Sequence, residues 1–105
     1  MKYVLADIPS REIIPGFHGR LIHTEKSTLS FWEVEEGSQL PEHAHHHEQT
    51  TQVLEGEFEL ILDGEKILCL PGSVVVIPSN TTHSGKAITT CKLLDTFSPI
   101  REDYK

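Results

Sequence analysis

Residues 37–56 read GSQLPEHAHHHEQTTQVLEG and hold four of the seven histidines of the chain. Side chains two positions apart on a β-strand point to the same face, so we expect His43 and His45 to leave the backbone on one side. Two adjacent imidazoles, with the neutral amide of Gln49 nearby, form half of a divalent-metal site. Gly37 and Gly56 provide the turns by which the chain enters and leaves this stretch.

A second stretch, residues 72–83, reads GSVVVIPSNTTH and combines a glycine turn, a short apolar strand, a polar turn and one histidine. Together the two stretches resemble the paired signature motifs of the cupin family. The first motif is Gly, five residues, His-x-His, three residues, an acidic or amide ligand, six residues and Gly, and residues 37–56 match every gap. The second motif is Gly, five residues, Pro-x-Gly, two residues and His. Asn80 stands where the family has its last glycine, which is a mild departure because Asn tolerates a positive φ.

The resemblance implies an all-β fold, the double-stranded β-helix or jelly-roll β-barrel of the cupins, as a single domain over residues 1–105. The residue pattern agrees, because short strands punctuated by Gly and Pro are typical of such barrels and no segment has sustained helical periodicity. Asp63-Gly64 predicts a two-residue hairpin between ELIL and EKILCL. Weak alternation over Lys2–Ile8 predicts an edge or exchanged strand that ends at Pro9. In small cupins such a strand often pairs with a partner subunit, so the resemblance also implies a homodimer.

By the same resemblance, the metal ligands are His43, His45, Gln49 and His83. The set contains no thiolate, which favours an open site where water or substrate also binds. It is electrically neutral, so a bound divalent ion would keep its charge and polarise anionic oxygen ligands. Imidazole and amide donors suit manganese, iron, nickel or zinc, and the sequence does not choose among them. The alternative is that these histidines are solvated residues of a loop.

His46 and His47 complete the histidine run, and the cupin motif gives them no role. His47 shares strand parity with His43 and His45, so it could replace one of them as a ligand. We expect both His46 and His47 to face solvent or to support the ligands from behind.

The segment Thr28–Glu35 is predicted to be a strand with one face inside the barrel. Ser30, Trp32 and Val34 share a face, which we expect to be the inner one. Trp32 is then barrel lining, or alternatively a platform that contacts a substrate.

The segment Ile88–Phe97 is predicted to be the last strand. By alternation, Asp95 shares its face with the mainly apolar Cys91, Leu93 and Phe97. Its carboxylate therefore either faces solvent from a poorly buried face or points into a cavity. An enclosed carboxylate beside a cation is a candidate general acid–base, because desolvation raises its pKa and the cation lowers it.

Residues 95–104, DTFSPIREDY, resemble the ending of one cupin subgroup, the KdgF pectin-degradation proteins, which also have Gln in the first motif. Those enzymes convert 4,5-unsaturated uronate monosaccharides, released by pectin or alginate lyases, into linear ketone forms. The resemblance implies that Asp95 is the acid–base residue, that Arg101 binds the substrate carboxylate and that Phe97 forms a pocket wall. The residues alone also allow Arg101 a surface ion pair with one of the two acidic residues that follow it.

Three functions are consistent with this pattern. The leading hypothesis is a metal-dependent isomerase that opens and ketonises an anionic sugar acid, a small-molecule uronate. The second is a metal-dependent dioxygenase, which needs iron or another redox-active metal and consumes oxygen. The third is a non-catalytic cupin that binds a sugar or another small molecule.

The overall composition excludes some classes of binding partner and indicates a cellular location. The chain has 16 acidic and 9 basic residues and a net charge of −7, which argues against nucleic acid or an anionic membrane as a partner. The N-terminus MKYVLADIPS has no apolar leader and no apolar run approaches membrane length, so we expect a cytoplasmic protein. Cys69 and Cys91 form no CxxC pair and lie in apolar runs, which predicts reduced core residues.

Overall fold

The computed structural model describes residues 1–105, which form β-strands joined by turns. Two 3₁₀ turns, Leu5–Asp7 and Glu102–Tyr104, flank the strands, and no helix in the chain could cross a membrane. The strands are β1 (Arg11–Ile14), β2 (Phe17–His23), β3 (Thr28–Val34), β4 (Gln39–His43), β5 (Glu48–Glu55), β6 (Phe58–Leu62), β7 (Glu65–Cys69), β8 (Val74–Ile77), β9 (His83–Ala87) and β10 (Cys91–Ser98).

The strands form two antiparallel sheets. The six-stranded sheet has the order β1-β2-β3-β10-β5-β8, and the four-stranded sheet has the order β4-β9-β6-β7. In both sheets, strands far apart in the chain are neighbours, as β3 and β10 are in one sheet and β4 and β9 in the other. This connectivity is that of a jelly roll, so the predicted fold class is confirmed.

Alternating burial along β3 and β10 identifies the side chains that enter the barrel. On β3, Ser30 and Trp32 are buried on the face that the sequence predicts to be the inner one. On β10, Asp95 is also buried, together with Leu93 and Phe97 two positions to either side. Ser30 and Asp95 are direct partners in the β3–β10 pair. The open question about Asp95 is therefore answered: its carboxylate points into the barrel.

Aromatic side chains form the centre of the core. Phe17 packs edge-on against Trp32 and Phe58, with ring centroids 6.2 and 6.4 Å apart. Burying each such side chain stabilises the fold by about 1.5–3 kcal/mol. Cys69 and Cys91 are buried free thiols, as predicted, and burial raises the pKa of Cys91 to about 11.

Two tight turns adopt the positive φ angles that their residues predict. Asp63 and Gly64, between β6 and β7, have φ angles of 47° and 84°, as a two-residue hairpin requires. Asn80 has a φ of 63° at the position where the cupin motif has glycine. The backbone N–H of Asn80 donates a 2.7 Å hydrogen bond to the carbonyl of His45. The turn of the second histidine stretch therefore holds the loop of the first.

The structure corrects the predicted strands in four places. Lys2–Ile8 is not an edge strand of this barrel, because it pairs with no strand of its own chain and Leu5–Asp7 forms an exposed 3₁₀ turn; exchange with a partner subunit stays a prediction. The strand expected at His43 and His45 is β4, but it ends at His43. The prediction misses β9, since its polar, glycine-containing sequence has low strand propensity. The last strand begins at Cys91 rather than at Ile88, which lies in the preceding turn.

Gly56, which follows β5, is expected to be more sensitive to substitution than Gly64. Both have a φ above 80°, where an alanine costs about 1–2 kcal/mol. A Cβ on Gly56 would also lie 2.4 Å from the carbonyl oxygen of Thr90, whereas a Cβ on Gly64 would meet nothing within 4 Å. We expect Gly56→Ala to lower the free energy of unfolding by a further ~1–3 kcal/mol relative to Gly64→Ala. Urea denaturation of both variants measures this difference, and equal losses would contradict the close packing at Gly56.

Candidate metal centre

Three histidines and one glutamine converge where β4 meets β9. His43 ends β4 and pairs directly with His83, which begins β9, while Gln49 is buried on β5. His45 lies in the loop after β4, so the expected common strand face of His43 and His45 is wrong; the loop turns the second ring towards the first. The ring centroid of His83 lies 4.2 Å from the ring centroid of His43 and 5.0 Å from that of His45. One donor nitrogen from each of the three histidines lies within 4.8 Å of the other two.

A backbone carbonyl orients each of these imidazoles. The Nδ1–H groups of His43 and His83 each donate to the carbonyl two residues earlier, at 2.8 Å. The Nδ1–H of His45 donates to the carbonyl two residues later, at 3.1 Å. Because a carbonyl only accepts, Nε2 of each neutral ring carries the lone pair. Hydrogen bonds of this kind fix the tautomer and orientation of metal-binding histidines.

Two details show that the donor set fits a divalent cation. Nε2 of His83 is buried and has no hydrogen-bond partner. Nε2 of His45 lies 3.1 Å from Oε1 of Gln49, and both atoms are acceptors, because Gln49 uses its amide nitrogen to donate to Thr51. Buried lone pairs that face one another without a proton between them suit a bound metal ion.

Burial keeps two of these imidazoles neutral. It lowers the pKa of His45 to about 4, with further lowering by the positive charge of Arg101 and by His83. Burial also lowers the pKa of His83. Neutral imidazole is the form that binds metal, so protons compete weakly for these nitrogens near neutral pH.

A chain of hydrogen bonds connects Gln49 to the carboxylate of Asp95. The amide of Gln49 donates to the hydroxyl of Thr51 at 2.9 Å, and that hydroxyl donates to Oδ1 of Asp95 at 2.7 Å. The indole N–H of Trp32 donates to Oδ2 of Asp95 at 3.0 Å. Both carboxylate oxygens are therefore held in place. Thr51 is absent from the residues predicted from the sequence, although it lies two residues after Gln49 on β5 and so shares its face.

The surroundings of Asp95 place its pKa close to neutrality. Burial raises the pKa to about 6, against hydrogen bonds from Thr51, Gln49 and Trp32 and the charge of Arg101, all of which lower it. A carboxyl group with such a pKa exists in both protonation states near the working pH of a cell. It can therefore take up a proton and return it.

Arg101 is a buried cation beside this carboxylate, with 7% of its surface exposed. Its guanidinium carbon lies 4.6 Å from the ring centroid of Phe97 and 3.9 Å from that of Tyr104. Its Nε and Nη2 groups donate to the two oxygens of Asp103, at 3.0 and 2.8 Å. The structure thus contains the ion pair that the sequence allows, and it forms with Asp103 rather than Glu102.

Phe97, Trp32 and Tyr104 form an aromatic wall beside the histidines. Phe97 is 2% exposed and packs edge-on against His45 and Tyr104, with ring centroids 5.8 and 5.9 Å away. Tyr104 packs edge-on against Trp32 at 6.1 Å. Tyr104 could not be predicted from the sequence pattern, because it follows the last strand in a 3₁₀ turn where no periodic pattern indicates burial.

His46 and His47 have different environments. His46 is exposed, whereas His47 is 6% exposed and supports the ligand loop from behind. Nε2 of His47 lies 3.1 Å from the carbonyl oxygen of Ile100, and its own carbonyl accepts the hydrogen bond from His45. His47 therefore connects the histidine loop to the C-terminal segment. It is not part of the three-histidine cluster.

Two cavities meet at Arg101. The inner cavity, of about 30 Å³, lies within the barrel and is lined by His43, Gln49 and Asp95. It has room for about one or two water molecules. The outer cavity, of about 820 Å³, is open to solvent and is lined by His45. Three of the four proposed ligands thus border these two cavities, while Asp95 borders only the inner one.

The sequence matches known proteins over its central part. The family model of the Cupin domain matches residues 30–97. The pectin degradation protein KdgF of Dickeya dadantii (strain 3937) is 34% identical over 59 residues, which are 55% of this chain and 54% of that protein. The chain thus matches about half the length of this curated relative.

Two solved structures superimpose over almost the whole chain. The structure of KdgF from Halomonas sp. has a TM-score of 0.94 and 28% sequence identity, and the match covers 100% of this chain and 98% of that one. An RmlC-like cupin from Shewanella frigidimarina NCIMB 400 has a TM-score of 0.93 and 27% identity, covering 98% and 94%. The complete barrel described above therefore recurs in both proteins.

Proposed function

The chain belongs to the cupin family, and from that premise we propose that it opens 4,5-unsaturated uronate monosaccharides, released from pectin or alginate, into linear keto sugar acids with the help of a divalent metal ion. The similarity to KdgF proteins supports a role in pectin breakdown. The observation that best supports this specific reaction is the buried carboxylate of Asp95, which lines the same inner cavity as His43 and Gln49.

The proposed reaction is an isomerisation, so no atoms or electrons enter or leave overall. The anomeric hydroxyl loses its proton, and its oxygen becomes the carbonyl of an open-chain aldehyde. The bond between the anomeric carbon and the ring oxygen breaks, which leaves an enolate at the former ring position. The enolate becomes the ketone when its neighbouring carbon takes up a proton. One acid–base group that removes the first proton and supplies the second is sufficient.

Asp95 is the residue that moves this proton. Its pKa of about 6 lets the carboxylate accept the proton of the anomeric hydroxyl and later return it to the enolate carbon. The hydrogen bonds from Thr51 and Trp32 fix the plane of the carboxylate. A fixed base needs little reorganisation when the proton transfers, which lowers the barrier.

The metal would be held by His43, His45, Gln49 and His83. A divalent ion bound there supplies Lewis-acid charge for oxygens that become negative as the ring opens. The four side chains contribute no charge of their own, so they do not diminish that effect. Manganese, iron, nickel and zinc all suit these donors.

Arg101 would orient the sugar acid by its carboxylate. The planar guanidinium matches a carboxylate through two parallel hydrogen bonds. Phe97 and Trp32 line the inner cavity beside it and would supply apolar surface to a sugar ring that enters there. With its carboxylate at Arg101, the substrate would present its ring to the histidines, and the inner cavity of about 30 Å³ would have to widen to admit the ring beside Asp95.

The proposal is tested by following the absorbance of the conjugated double bond of an unsaturated galacturonate monomer. We expect metal-loaded protein to accelerate the loss of this absorbance above the spontaneous rate, and chelator-treated protein to return the rate to the spontaneous value. An unaccelerated reaction, with metal bound and the protein folded, would exclude this substrate. Oxygen uptake by iron-loaded protein would then support the dioxygenase alternative.

A further inference from the structure

The guanidinium of Arg101 is held in two separate ways. Its faces contact the rings of Phe97 and Tyr104, and its backbone N–H donates to the hydroxyl of Thr28 at 2.9 Å. Its Nε–Nη2 edge is filled by both oxygens of Asp103. Aromatic stacking and the backbone bond would therefore keep Arg101 in place without Asp103.

The two partners of this ion pair differ in their exposure to water. The side chain of Arg101 is 8% exposed, whereas that of Asp103 is 58% exposed. A half-exposed carboxylate can leave its partner at small cost, because water solvates it at once. A buried guanidinium cannot do the same, since leaving it unpaired carries a large desolvation penalty. Asp103 is therefore the partner that can be exchanged.

The position of Asp103 also suits an exchange. Asp103 and Arg101 both line the open outer cavity, together with His45 of the histidine cluster. An anion that enters this cavity meets the Nε–Nη2 edge of Arg101 where Asp103 already occupies it. That edge presents two parallel N–H groups, which is the geometry that a planar carboxylate matches best.

We propose that Asp103 is an internal counter-anion that occupies the carboxylate-binding edge of Arg101 until a ligand's carboxylate displaces it. The inference deepens the proposed function and rests on it for the choice of sugar acid. Asp103 determines specificity: only a ligand with a carboxylate that can replace both hydrogen bonds gains access to Arg101. A neutral sugar leaves the ion pair intact.

Calorimetric titration of the 105-residue chain with galacturonate tests this proposal. Galacturonate carries the carboxylate but lacks the double bond, so its binding is measured whether or not the protein opens unsaturated uronates. We expect Asp103→Asn to bind galacturonate about 5-fold more tightly than wild type, the factor at the upper end of what a partly exposed ion pair contributes. Asp103→Ser, which cannot fill the edge with an amide oxygen, should show at least the same gain.

Glu102→Gln is the matched control, because it removes the same charge from the neighbouring position in the same cavity. Glu102 pairs with Lys105 rather than Arg101, so we expect its loss to change galacturonate affinity less than twofold. Galactose, without a carboxylate, should bind all four proteins equally. Asp103 variants that bind galacturonate no more tightly than Glu102→Gln, or a complete absence of binding in every variant, would overturn the proposal. Loss of turnover with intact galacturonate binding would instead count against the proposed reaction alone.

Discussion

Asp95→Asn is expected to slow ring opening by about 10²- to 10⁴-fold, the usual contribution of a general acid–base group. Asn has nearly the same shape and can still accept the hydrogen bond from Trp32, but it cannot take up or release the proton. None of the proposed metal ligands changes, and turnover is compared at equal metal content because Asp95 is connected to Gln49 through Thr51. Asp7→Asn is the matched control, because it makes the same chemical change at an exposed N-terminal position and should leave turnover unchanged.

The thermal stability of the metal-free Asp95→Asn variant shows whether slower turnover comes from a lost proton transfer or from unfolding. Burial raises the pKa of Asp95 from 3.8 to about 6, so the folded state holds this proton more tightly than the unfolded state does. Ionisation of Asp95 therefore lowers the free energy of unfolding as pH rises from about 4 to about 6, and the loss is complete above that range. Asn does not ionise, so at pH 7 the variant should melt no lower than wild type. Full turnover in a folded, metal-loaded variant would remove Asp95 from the mechanism.

His83→Ala is expected to weaken metal binding by more than about 100-fold, because losing even a supporting hydrogen bond behind a ligand costs 10- to 100-fold. His83 is 1% exposed, and its buried Nε2 has no partner in the protein. Its removal takes away one of three imidazole donors and leaves nothing nearby to replace it. Metal content after dialysis and calorimetric titration with zinc or nickel both measure the change.

His46→Ala is the matched control for the histidine cluster. His46 belongs to the same histidine run but is exposed and lies outside the cluster, so its loss should leave metal affinity unchanged. His45→Ala adds a second cluster variant at a less buried position, in case His83→Ala fails to fold. Equal affinity for the His45 and His46 variants would show that the metal binds elsewhere.

Motif spacing locates the histidine cluster from the sequence, although part of the structural reason differs from the one expected. His43 and His45 converge through a loop held by the backbone of Asn80, not through a shared strand face. The spacing still identifies the ligands, because a loop of this length between β4 and β5 brings the ring of His45 beside that of His43. Strand alternation correctly groups Asp95 with apolar neighbours on β10, but it left open whether its carboxylate faces solvent or a cavity, and only the structure shows that it is buried.

The partners of Asp95 and Arg101 are harder to predict because they arise from contacts between distant segments. Trp32 reaches Asp95 across the β3–β10 pair, and its indole N–H could have been directed elsewhere by another rotamer. Tyr104 lies beyond the last strand, where neither alternation nor helical periodicity applies. The weak alternation of the N-terminal segment predicted an edge or exchanged strand. The edge strand is wrong, because no neighbouring strand in the chain supplies backbone partners, and the exchanged strand stays a prediction.

The pairing of β4 with β9 has a consequence for how the chain reaches its folded state. It brings together His43 and His83, which are far apart in sequence, so no local segment can assemble the three donors before the sheet has formed. Contacts of such long range form late and slowly during folding. An ion captured by the cluster would bind the finished barrel and not its precursors, and its binding energy would oppose unfolding directly. Scarcity of the metal would then shorten the lifetime of the folded chain as well as limit its chemistry.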